Sequence, residues 1–314
     1  MIADFVFSLS ITLPIFSILV LGVLFKRLGW VTEEFARLGS DLVFKVTLPC
    51  LLFVKLVQTD FRHDLPVALV GYALVAVLAL FLLFDRLVAP LFPASGDRGV
   101  FVQGAFRGNL GIIGLAFCLS AFGESVVSVA SIYLAIMTTL YNILAVVTLS
   151  RHGETGREGG VRQTLANVLR NPLILSIVVG VLVSLSGVQV PSILLKTGGY
   201  FAQMTLPLAL LCAGASIRPA EFQSSLPLYA ASFGKLVAVP VLVTAGGILF
   251  GLRGPSLGVL FLMNAAPTAA ASYPMAQAMK GNHHLAAAII AATSLGSLVS
   301  TTLGIFLLRY FSLI

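Results

Sequence analysis

The 314-residue chain is 58% hydrophobic and only 10% charged, with a mean hydropathy of +1.04, whereas an ordinary soluble domain is about a quarter charged. That leaves too little polar surface to cover a globule, and a soluble reading is excluded. The formal charge of +7 comes from basic residues scattered singly along the chain, which argues against nucleic acid as a partner and for charge placed in loops between membrane spans.

Breaking the chain at charges, Gly and Pro predicts an all-α polytopic membrane protein with ten spans, at 5–25, 38–57, 66–90, 99–121, 126–149, 172–187, 191–216, 226–250, 255–279 and 285–308. Each is near the ~20 residues that cross a ~30 Å hydrocarbon core. Runs such as Val67 to Phe84 are apolar on every face, unlike the alternating strands of a membrane barrel. The first run follows neither a basic segment nor a small-residue cleavage site, so it reads as a retained helix. The hydrophilic stretch 150–171 is too short for a domain and reads as a cytoplasmic loop between a first half, 1–149, and a second, 172–314. An even number of spans puts both termini on one side. With the termini outside, eleven Lys and Arg fall on the cytoplasmic side, five outside, and three (Lys45, Arg107, Lys235) within spans. The positive-inside rule therefore predicts external termini. Cys50, Cys118 and Cys212 lie in apolar runs without metal-ligand spacing, so they read as small hydrophobes, and no metal or cofactor is expected.

The halves match at a fixed offset of 158 residues: Pro14 with Pro172, Gly22 with Gly180, Gly29 with Gly187, Pro49 with Pro207, and Gly123 with Gly281. Around these, Thr47-Leu48-Pro49 recurs as Thr205-Leu206-Pro207. Five spans per copy is an odd number, so the copies enter the membrane in opposite directions. Inverted repeats of this kind mark secondary transporters, whose site lies near the midplane where discontinuous helices occupy corresponding positions.

Two segments answer that description. The fourth span carries Arg107-Gly108-Asn109-Leu110-Gly111 and Gly114, and the ninth carries Asn264-Ala265-Ala266-Pro267-Thr268 followed by Tyr273-Pro274 and Gln277. Gly and Pro weaken helix interiors, and a helix that restarts inside the membrane offers N–H groups to an anion. Arg107, nine residues after Arg98, lies ~13 Å into the bilayer. It reads either as positive potential for an anion or as a structural cation bonded to carbonyls of a broken helix. Lys235 and Lys45 are weaker candidates because long stems can snorkel, and Pro49 and Pro207 read as kinks beside the crossing. His283 and His284 read as solvated. No carboxylate sits near the middle of a span, so coupling to protons or sodium is left open.

At these residues the chain resembles the auxin efflux carrier family, whose bacterial members include malonate and malate permeases. The resemblance rests on Leu48-Pro49-Cys50-Leu51-Leu52-Phe53, Phe106-Arg107-Gly108-Asn109-Leu110-Gly111, the run Leu206 to Ser216, and Ala266-Pro267-Thr268-Ala269. It implies a ten-helix fold of inverted five-helix repeats, with the fourth and ninth helices crossing where they unwind and the substrate bound there, and it assigns roles to Asn109, Pro267, Thr268 and Pro274. The family often has Pro after the Gly-rich stretch of the fourth helix, where this chain has Leu115-Ala116. The leading expectation is a non-enzymatic transporter of a small organic anion, such as malonate, malate or an auxin-like acid, with a homodimer left open. Arg107, Gly108, Asn109 and Gly111 would surround the anion from one half, with Asn264, Pro267, Thr268, Tyr273, Pro274 and Gln277 from the other. The alternatives are a sodium-coupled symporter similar to bile-acid carriers and a non-transporting membrane sensor or lipid binder.

Overall fold

A computed structural model describes residues 2–58, 66–92, 94–152, 172–215 and 225–314. Most of the predicted 150–171 loop lies outside the described residues. The described chain is helical, with one isolated β-bridge and no named strand. In chain order we label α1 Ile2–Arg27, α2 33–57, α3 Val67–Leu91, α4 Ser95–Phe106, α5 110–122, α6 Val127–His152, α7 Pro172–Ser186, α8 Ser192–Ala215, α9 Leu226–Leu249, α10 Gly254–Ala265, α11 Ser272–Ala278 and α12 His283–Tyr310. Five stretches are individually long and apolar enough to cross a membrane: Phe5–Arg27, α3, Leu110–His152 (α5 running into α6), α9 and α12.

Local sequence explains the ends. At Thr32 the hydroxyl accepts from the Phe35 N–H (3.1 Å) and Glu33 and Glu34 occupy the first turn, so α2 starts five residues before its predicted span. This is the usual N-terminal chemistry of a side-chain oxygen and acidic residues at the positive helix end. Gly29 (φ 77°) and Gly187 (φ 71°) close α1 and α7 in the left-handed conformation that glycine adopts without strain. Three π-helical turns, Val43–Thr47, Leu83–Val88 and Gly234–Ala238, end shortly before Pro49, Pro90 and Pro240. Proline has no N–H and crowds the carbonyl four residues back, and the wider turn relieves that crowding. Pro207 lies inside α8 without interrupting it. A fourth π turn, Leu110–Gly114, opens α5 with no proline after it, at the place where the family pattern would have one.

Packing divides the helices. α1 packs most extensively on α8, α7 on α2, and α2 on α8. Glycines make the close approaches: a Cβ at Gly214 would strike the Leu19 carbonyl of α1, one at Gly22 the Leu211 carbonyl of α8, and one at Gly180 would sit 3.0 Å from Leu56 of α2. α3 to α6 and α9 to α12 gather around the interrupted stretches at 107–109 and 266–271. The two groups meet along α1. Its N-terminal half is held by a Thr12–Thr302 hydroxyl pair (2.8 Å), by Ser120 donating to the Ile11 carbonyl (3.0 Å), and by Arg309 over the Phe7 ring (3.8 Å).

Candidate functional site

α4 stops at Phe106, Arg107 is extended (φ −83°, ψ 105°), and the chain turns helical again only after Asn109. α10 stops at Ala265 and helix resumes at Ser272. The two unwound stretches run antiparallel: the Asn109 N–H donates to the Pro267 carbonyl (2.7 Å), the Ala269 N–H donates to the Arg107 carbonyl (3.1 Å), and Gly108 bridges Thr268. Backbone groups that lose helical partners must find others in a dry interior, and here each break supplies them to the other. The bridge is centred on Gly108 and Thr268, and the pair beside it, Asn109 and Pro267, is related by the 158-residue offset.

Side chains satisfy further backbone groups. Thr268 Oγ1 donates to the Gly104 carbonyl (2.7 Å), Gln103 Nε2 donates to the Ser272 carbonyl (2.9 Å), and the Thr268 N–H donates to Thr293 Oγ1 (3.1 Å). Lys235 Nζ donates to the Asn264 carbonyl (2.9 Å) at the end of α10. Asn264 itself is buried, its carboxamide donating to Tyr133 Oη and the Leu260 carbonyl (both 2.8 Å).

Beside the crossing lies a cavity of about 810 Å³ lined by Asn109, Thr268, Tyr273, Ser40 and Ser294 among apolar residues such as Ile112 and Ile290. It extends to the α1–α2 turn, where Lys26 pairs with Glu33 (3.2 Å) and Arg37 with Glu34 (3.9 Å). Among the described residues, no hydrogen bond within the protein engages the Asn109 carboxamide or the Tyr273 hydroxyl, and Asn109 is only 8% exposed.

The sequence-predicted residues therefore separate. Asn109, Thr268 and Tyr273 come together on the cavity wall. Pro267 and Gly108 form the bridge, and Gly111 packs near Leu48 and Leu134. Arg107 is buried away from the cavity, donating to Asn142 Oδ1 (2.6 Å) and Met275 Sδ (2.7 Å). Its side chain joins α4 to α6 and α11, and Asn264 is likewise absent from the cavity wall. Pro274 and Gln277 fall on α11, with their side chains outside the described residues. Lys235, expected to snorkel, is instead fully buried, whereas Lys45 is exposed and paired with Asp41 (2.8 Å). His284 is exposed, but His283 is half-buried with its ring edge-on to Tyr273. Asn142 and Gln103 were missed. Each is a polar residue in an apolar run, the signal that could have found it.

A profile of the family described as membrane transport protein matches residues 7–161 and 159–305. The chain belongs to this family. It is the same family, the auxin efflux carriers, that the motifs around Asn109 and Pro267 resemble. Among curated proteins, the uncharacterized transporter YfdV of Escherichia coli (strain K12) is 23% identical over 98% of this chain and 99% of its own length. The “Putative malonate transporter” of Rhizobium meliloti (strain 1021) is 26% identical over 96% and 95%. The uncharacterized transporter MJ1031 of Methanocaldococcus jannaschii is 21% identical over 83% and 86%.

Proposed function

We propose that this membrane transport protein is a secondary transporter that moves a small organic anion, a carboxylate, across a bacterial inner membrane by alternating access. The chain is read as ten spans in two inverted repeats, 1–149 and 172–314, joined by a cytoplasmic loop at 150–171, with both termini outside. The observation that carries this reading is that Asn109 and Thr268, one from each interrupted span, face one cavity while the Asn109 carboxamide has no hydrogen-bond partner among the described residues. The first N–H groups of a helix lack intrahelical partners, and α5 begins next to Asn109, so a carboxylate there gains donors and a favourable dipole. The name of the Rhizobium relative agrees with a carboxylate cargo.

With the termini outside, as proposed, the α1–α2 turn that the cavity reaches is cytoplasmic, and α1 is closed against α5 and α12 at the opposite end. The test is thermal stabilisation of the purified protein by acetate, malonate, malate and phenylacetate, repeated with choline in place of sodium. A ligand at 100 times its Kd adds about 2.7 kcal/mol to apparent stability, so at least one acid raises the melting temperature. A flat response to every acid in both salts overturns the reading.

A further inference from the structure

Lys235 has no place in that account, yet its setting is unusual. It is 0% exposed, on the π-helical turn Gly234–Ala238 of α9, and its amino group reaches the crossing itself. Nζ donates to the Asn264 carbonyl at 2.9 Å and lies 3.1 Å from where a Cβ on Gly108 would stand. Among the described residues no carboxylate pairs with it. Burial disfavours an ammonium unless something offsets the cost, and the carbonyl end of α10, which accepts from Nζ, is placed to do so.

That helix end carries roughly half a negative charge, so a full ammonium leaves a surplus of roughly half a positive charge. Gly108 is the neighbour of Asn109 and the bridge partner of Thr268, both on the cavity wall. The surplus therefore sits directly behind the wall against which an anion would rest, in surroundings where charges are weakly screened. Arg107 is less suited to this role, because its guanidinium is turned to Asn142 and Met275.

We propose that Lys235 is a positioning residue for the anion: its ammonium holds the Asn264 carbonyl against the Gly108–Asn109 backbone and supplies the positive charge that a substrate carboxylate neutralises from the cavity side. The inference rests on the organic-anion reading above. It implies that the site discriminates charge through a group the substrate never touches.

The experiment compares two acids with their uncharged amides, phenylacetate with phenylacetamide and malonate with malonamide, by melting-temperature titration of the full-length wild type, Lys235→Met, Lys235→Gln and Lys235→Arg. The wild type prefers acid over amide by at least tenfold. The two neutral variants lose that preference because affinity for the acid falls while that for the amide stays within twofold, and Lys235→Arg retains it. A preference that survives in either folded neutral variant, or a loss of acid and amide alike, overturns the proposal. So does a wild type without preference, even if neither neutral variant folds. If no acid stabilises the wild type, the anion reading itself fails and this proposal with it. Acids that stabilise wild type and neutral variants equally overturn the Lys235 role alone.

Discussion

Replacing Asn109 with alanine removes a carboxamide that lines the cavity at the crossing and has no hydrogen-bond partner within the described protein. The backbone bond from the Asn109 N–H to the Pro267 carbonyl, at 2.7 Å, does not involve the side chain and stays. The fold therefore loses little, and the apo melting temperature stays close to that of the wild type. Substrate binding loses a hydrogen bond to an ionised group, worth about 1.5–3 kcal/mol. At 1.4 kcal/mol per factor of ten, affinity for the acid falls roughly 10- to 100-fold. Titrating the melting temperature with the acid that best stabilises the wild type reads this directly, and uptake into proteoliposomes gives the corresponding loss of flux. Unchanged affinity and flux in Asn109→Ala for every acid would refute the reasoning, since the unpartnered carboxamide on the cavity wall would then do nothing.

Two further substitutions, each paired with a control, test the packing that holds the helices together. Gly214→Ala drives a Cβ into the Leu19 backbone, whereas Gly199→Ala on the same helix meets nothing within 4 Å. Overpacking of this kind costs about 1–3 kcal/mol, so the first lowers the melting temperature and the second leaves it unchanged; equal values would contradict the described α1–α8 contact. Asp85 is 1% exposed and accepts from Thr148 Oγ1 (2.7 Å) and Arg151 Nη1 (2.5 Å), with His152 Nε2 at 3.0 Å, tying α3 to the end of α6. Asp85→Asn lowers the melting temperature through the loss of about 1.5–3 kcal/mol of charged hydrogen bonding. Asp41→Asn breaks only the exposed pair with Lys45 and is silent within ~0.5 kcal/mol.

Much of the crossing was legible because Gly and Pro act on the backbone locally. Pro267 and the Gly108-Asn109 step weaken a helix interior through the backbone alone, so the breaks could be proposed without knowing what surrounds them, although Pro207 shows that such a residue can also stand in an unbroken helix. The facing of polar side chains was not legible. Arg107 and Lys235 are both single cations in apolar runs, and nothing in their neighbours along the chain separates them. Their orientations are set by partners far away in sequence: Asn142 and Met275 for Arg107, the Asn264 carbonyl for Lys235. The same holds for Asn264, whose place in the disrupted motif suggests a ligand but whose carboxamide is used by Tyr133 and the Leu260 carbonyl. Lys45 shows the converse. Asp41 stands four residues before it, and the exposed ion pair that forms could be read from that spacing.

On the proposed alternating-access mechanism the N-terminal half of α1 parts from α12, and the Thr12–Thr302 hydroxyl pair at 2.8 Å marks where they touch. Thr12→Cys/Thr302→Cys, built with Cys50, Cys118 and Cys212 replaced by alanine, places two thiols at that contact. The decisive measurement is flux of the best-stabilising acid into proteoliposomes with this pair oxidised and then reduced. The account predicts that the oxidised protein still binds the acid within twofold of the reduced form, carries no flux, and recovers flux on reduction. Full flux through the oxidised, cross-linked protein would contradict it.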